Sequence, residues 1–186
     1  PYGIRFIDSF AFLSSSLDTL ANLAIDFNED PSDQIGQGLV KNLPLTSAYL
    51  DKSIPHSGIP KALLKKACLR KGYFPYEYLD SLSKLDQPLF DEEDEFTLEP
   101  EDFYSHLSNK LSQDLVIKSS WAEMISRGMG FETLREYHDF YLAMDVYLLA
   151  DIFQRFRLTC LKADNCGQDP LHYLGNPSLV LDSYLK

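Results

Sequence analysis

Tyr137-His138-Asp139-Phe140-Tyr141-Leu142-Ala143-Met144-Asp145-Val146-Tyr147-Leu148-Leu149-Ala150-Asp151-Ile152-Phe153 is the stretch on which the reading of this chain turns. It is apolar or aromatic almost all the way round a helix, which marks a helix built into a core. Thr133-x-x-Glu136, just ahead of it, is a capping box that starts the helix at about residue 133. Continued to Leu161, such a helix is on the order of 40 Å long. Asp145 sits in its middle, where a carboxylate without a partner costs roughly several kcal/mol or gives up its charge. A helix that keeps one either pairs it or uses it to hold a metal. Tyr141 precedes Asp145 by one turn, so the two share a face with Cβ atoms about 5–6 Å apart. A phenol beside a carboxylate can position a water next to a divalent cation. A core aspartate tied to an arginine or a backbone amide explains the same spacing.

The chain of 186 residues is long enough for one domain with a real core, or for most of a larger one. Twelve Phe and eleven Tyr within an apolar content of 45% mark a folded, aromatic-rich protein. A formal charge of -11 argues against a free-standing electrostatic nucleic-acid binder. Much of that excess lies in Asp91-Glu92-Glu93-Asp94-Glu95, which reads as a solvated loop. Three cysteines (Cys68, Cys160, Cys166) without metal spacing fit a reduced, intracellular setting, with no particular compartment indicated. Scattered histidines argue against zinc. No window approaches the ~18 apolar residues of a membrane span, and no signal peptide is visible. The chain starts at Pro1, and Ile4-Arg5-Phe6-Ile7 already resembles a strand interior, so it reads as beginning inside a longer protein.

Residues 4–12 are apolar and β-prone, and a strand is expected there. Ser16 then caps a short amphipathic helix carrying Leu17, Leu20, Leu23 and Ala24. Residues 26–60, rich in Asp, Asn, Pro and Gly, read as loop around one short element at most. Pro60 opens a basic helix through residue 71, stopped by Gly72, and Tyr73-Phe74-Pro75-Tyr76 continues extended. Helices are expected at 101–110, at 119–127 around Trp121, at 133–161, and again near Pro177. Asn165 and Gly167 end the long one.

Four stretches in order resemble one family: Arg5-Phe6-Ile7-Asp8-Ser9-Phe10 with Ser16-Leu17, then Arg70-Lys71-Gly72-Tyr73-Phe74-Pro75-Tyr76, then the helix at 137–153, then Asp169-Pro170-x-x-Tyr173 with Pro177-Ser178-Leu179. Together they resemble the protein-primed family B DNA polymerases of viruses, linear plasmids and self-synthesising transposons, across nearly the whole chain. The resemblance implies an α/β, RNase H-like (DnaQ-like) 3′-to-5′ exonuclease fold, present in part and helix-rich in this segment. Residues 1–163 would be the later part of that domain, with an acidic insert at about 86–102, and 164–186 the connection into the polymerase domain. Tyr141-x-x-x-Asp145 resembles the third exonuclease motif, by which Asp145 would ligand a metal and Tyr141 would orient the attacking water. Lys71, in Lys-x-x-hydrophobic, matches a lysine that steadies the scissile phosphate. Ser9-Phe10 matches a Ser-Leu pair that holds the single-stranded primer end, and Ser16-Leu17 fits the same pattern. Lys65, Lys66 and Arg70 lie in the densest basic patch, where a DNA strand could pass.

The implied cofactor is Mg²⁺ (or Mn²⁺) in a two-metal site. The implied partners are DNA with a single-stranded primer 3′ end and, for the parent, deoxynucleotides and a terminal protein, with no membrane. The family's first motif, Asp-x-Glu on an apolar strand, is absent, as are its second motif and the polymerase carboxylate motifs. One carboxylate cannot hold two metals, so residues outside this chain would complete the site and the isolated chain is expected to be inactive. A decayed or co-opted non-catalytic interaction module derived from such a polymerase is the alternative. A stand-alone RNase H-like nuclease is a third.

Overall fold

The computed structural model describes residues 6–26, 42–55, 59–106, 112–162 and 167–185. Among these residues the protein is helical: α1 (Leu17–Asp26), α2 (Pro44–Ser53), α3 (Lys61–Cys68), α4 (Ser112–Met129), α5 (Leu134–Cys160) and α6 (Asn176–Tyr184), with one short 3-10 turn ahead of α1 and three more between later helices. No strand forms among them, only isolated antiparallel bridges at Pro88–Thr133 and Phe90–Phe96. None of these helices is long and apolar enough to cross a membrane.

The long helix α5 is the spine. The Thr133 hydroxyl accepts from the Glu136 amide, and the Glu136 carboxylate accepts from the Thr133 amide at 3.2 Å, so the expected capping box is formed. Leu134, Tyr137, Tyr141, Met144, Leu148 and Ile152 recur every three or four residues and are buried. Around this stripe pack α1, α2 and the 3-10 turn Leu82–Asp86. The burial does not go all the way round, because Leu142 and Val146 face outward. Asp145 lies at the edge of the stripe, between the buried face and those two exposed side chains.

The strand expected at 4–12 is not there in the described part. Ile4 and Arg5 lie outside the described residues, and Ser9–Ala11 form a 3-10 turn. The Asp8 carboxylate accepts from the Phe10 amide at 2.9 Å, and Ala11 N–H donates to the Asp8 carbonyl at 3.1 Å. These local bonds use the amides a sheet would have needed. Of the helix expected at 101–110, residues 107–110 lie outside the described residues, and the described part forms one 3-10 turn, Pro100–Phe103, closed by Glu99 and Asp102. The backbone then turns away, and His106 N–H donates to the Glu77 carboxylate at 2.6 Å. Lys110 and Asn165 lie outside the described residues. The basic helix ends at Cys68 instead of continuing to residue 71. The one short element allowed for within residues 26–60 is α2, a full ten-residue helix.

The acidic run 91–95 is a solvated turn, as expected, pinned by Arg127 to Asp94 at 2.9 Å. Its flanks, however, are core: Leu89, Leu98 and Phe103 are buried. At the far end of α5, Phe12, Phe153, Phe156 and Leu179 join the N-terminal segment to α6.

Where α3 crosses α4 the approach is close enough to demand glycine. A Cβ on Gly128 would lie 2.4 Å from Cδ2 and 3.1 Å from Cγ of Leu64, itself fully buried. Overpacking costs about 1–3 kcal/mol, against a helix gain of roughly 0.5–1 kcal/mol for Gly→Ala. Gly128→Ala is therefore expected to lower the thermal midpoint by roughly 2–6 °C. Adding Leu64→Ala should cost less than the two single losses summed. A full additive loss in thermal denaturation would mean that the helices cross without this contact.

Candidate functional site

The segment after α3 lies alongside α5, held there by side chains of both elements, but it does not continue extended as expected: Tyr76 N–H donates to the Phe74 carbonyl at 3.0 Å and Leu79 N–H to that of Pro75 at 3.3 Å, closing a turn at residues 76–78. The Tyr137 hydroxyl donates to the Tyr73 carbonyl, and the Tyr76 hydroxyl donates to that of Tyr141 at 2.5 Å. Between these two bonds the Phe74 ring packs on Tyr137, His138 and Tyr141, with centroids 5.3–6.0 Å apart. The aromatic run and the helix therefore close on each other, and Lys71 is carried over the edge of α5.

The result is a convergence of Lys71, Tyr141 and Asp145. Lys71 Nζ stands 3.9 Å from Asp145 Oδ2, too long for a hydrogen bond, so the ammonium offsets charge without satisfying an oxygen. Asp145 Oδ1 is buried and has no hydrogen-bond partner among the described residues. Burial raises the Asp145 carboxyl above the ordinary carboxylate range, opposed by the nearby Tyr141 hydroxyl and the Lys71 charge. Burial first, then the Tyr76 hydroxyl, hold the Tyr141 phenol far above its usual range, so it stays neutral and able to donate. Cys68 beneath the site is pushed up to about 12 by burial and is inert as a nucleophile at neutral pH.

A second carboxylate on the same helix shows what a satisfied buried aspartate looks like. Asp151, 4% exposed, accepts from Leu45 N–H at 3.1 Å and from the amide and hydroxyl of Thr46, each at 2.8 Å. It caps α2, whose own N-cap residue, Leu43, has no side chain able to do so. Asp151 is structural; Asp145 is left with an oxygen to give.

The remaining candidates are distributed differently. Lys65 is bound to Asp51 at 2.9 Å, and Lys61 donates to the Asp51 carbonyl, so two members of the basic patch are already committed. Lys66 points to solvent. Arg70 donates to the Tyr73 hydroxyl and lies over the Tyr73 ring, 4.8 Å from its centroid. Ser9 and Phe10 are not brought to Asp145. Their neighbour Phe12 packs on Phe153 and Phe156, two turns and more beyond it along α5. The Phe10 ring is exposed, whereas Ser16 is occupied in capping α1, accepting from Thr19 N–H at 3.2 Å.

Sequence reasoning passed over Tyr76 and Gly72. Tyr76 had a signal, a polar-tipped ring two residues after Phe74 in the aromatic run. Gly72 was taken as a helix stop, yet a Cβ there would meet the Trp121 ring at 2.9 Å and that of Tyr141 at 3.2 Å. No protein-family profile, no curated protein and no solved structure matches this chain.

Proposed function

We propose that this chain belongs to the 3′-to-5′ proofreading exonuclease of a protein-primed family B DNA polymerase. Asp145 is its metal ligand, Tyr141 orients the attacking water, and Lys71 steadies the scissile phosphate. What carries the reading is the meeting of Lys71, Tyr141 and Asp145 from two separate elements, with Asp145 Oδ1 buried and unpartnered. A hard, anionic oxygen of this kind suits Mg²⁺ or Mn²⁺. In this reading the other carboxylates of a two-metal site come from outside this chain; among the described residues no three His, Cys, Asp or Glu side chains converge. The strands of the RNase H-like α/β fold belong to the same expectation. When bound, divalent ions supply a nucleophilic water and stabilise the leaving 3′ oxygen. The chain's own part is to hold the Tyr141 proton and the Lys71 charge beside that oxygen. Residues 164–186 lead into the polymerase domain in this reading, and Ser9, Phe10, Lys66 and Arg70 contact single-stranded DNA.

A second reading has one observation in its favour. Lys71 offsets the Asp145 charge as in an ordinary structural ion pair, and a co-opted binding module would keep that contact. The exposed acidic turn 91–95 would then be its interaction surface.

The test is an assay of the full reading frame with Mg²⁺ and a mismatched primer–template. Stepwise removal of the 3′ end together with primer extension is expected. Removal without extension points to a stand-alone nuclease, and neither activity leaves the binding module.

A further inference from the structure

Among the described residues no hydrogen bond fixes the Lys71 ammonium over Asp145, which it approaches only to 3.9 Å, so its neighbours must place it. On one side Arg70 is held through its bond to the Tyr73 hydroxyl and its stacking on that ring. On the other side Gly72 lies so close to α4 that an added Cβ would meet Trp121 Cη2 at 2.9 Å. Trp121 is the common support of both flanks. Its ring meets that of Tyr73 edge-on at 5.5 Å, and its indole N–H donates to the Ala67 carbonyl at 3.2 Å. Ala67 belongs to the last turn of α3, where carbonyls lose their helical partners. The indole takes one of these carbonyls just where α3 stops, three residues short of Lys71.

We infer that Trp121 is a positioning residue for Lys71: it ends α3, presses on Gly72 and Tyr73, and thereby sets where the ammonium stands relative to Asp145. The inference rests on the exonuclease reading above. Trp121 touches neither Asp145 nor any reacting atom, and it acts only through the backbone that carries Lys71. The region containing α4 is thus part of the site and not an appendage to it.

The experiment is a double-mutant cycle in the full reading frame, measuring metal-dependent removal of the 3′ nucleotide from single-stranded DNA. Trp121→Phe keeps a ring but loses the bond to Ala67, and it should lower kcat about tenfold with KM little changed, since misplacing a charged group weakens the transition state more than binding. In the Lys71→Ala background the same substitution should cost nothing further. Losses that multiply in the Lys71→Ala background would overturn the inference, as would a Trp121→Phe protein with unchanged kcat. If Asp145→Ala abolishes removal but Lys71→Ala does not, the inference falls and the exonuclease reading stands. If Asp145→Ala is silent, both fall.

Discussion

Replacing Asp145 by alanine is expected to lower 3′-end removal by the full reading frame about a thousandfold while leaving its folded state as stable or slightly more stable. The two halves of that expectation have one cause. Burial works against the Asp145 charge, Oδ1 has no partner, and Lys71 at 3.9 Å compensates only in part. A charge held this way is a burden on folding that activity would justify. Removing it frees the fold of a desolvated carboxylate, and Lys71, at 36% side-chain exposure, remains hydrated without it. Losing a metal ligand forfeits several kcal/mol of charge stabilisation in the transition state, and about 1.4 kcal/mol corresponds to each tenfold in rate. Asp145→Asn keeps the shape and removes the charge, so it should lose activity almost as fully and hold or raise the thermal midpoint. Paired measurements of rate and melting decide the matter. A midpoint that falls by several degrees with the rate unchanged would mean that Asp145 is an ordinary core carboxylate.

Asp151→Ala is expected to do the reverse: a loss of about 3–5 kcal/mol in stability, without a direct effect on chemistry. Three donors, the Leu45 and Thr46 amides and the Thr46 hydroxyl, would lose their acceptor in a place where Thr46 is fully buried. Each buried donor left unmade costs about 1–3 kcal/mol, and losing a helix cap typically costs ~1 kcal/mol. Water reaching the half-buried Leu45 amide recovers part of that sum. For a chain of this length the midpoint should drop by roughly 6–15 °C. Asp151→Asn retains one accepting oxygen and should lose about half as much. Chemical denaturation of both variants is the check, and a loss below 1 kcal/mol for the alanine would show that α2 does not depend on this cap. Asp145 and Asp151 thus lie six residues apart on one helix with opposite expected consequences.

The helix that carries them was legible because everything that specifies it is local. The Thr133–Glu136 box, the recurrence of large apolar residues every three or four positions, and the one-turn spacing of Tyr141 and Asp145 depend only on 1.5 Å of rise and 3.6 residues per turn. The same holds for Ser16 at the start of α1 and for the helix near Pro177. Residues 4–12 misled because β-prone side chains say nothing about whether a partner strand exists, and Asp8 offered the backbone a nearer alternative. Helix α2 was allowed for only as an unplaced short element, because its cap comes from Asp151, more than a hundred residues away.

By itself, then, the sequence determined the long helix and the placing of Tyr141 and Asp145 on one face, while which part of its apolar surface is buried came from the fold. Only the tertiary structure decided which aspartate is satisfied and which is not. It also decided that Lys71 stands over Asp145 while Lys65 is taken up by Asp51. A carboxylate's partners are set by what the rest of the chain packs against it, and no spacing along one helix encodes that.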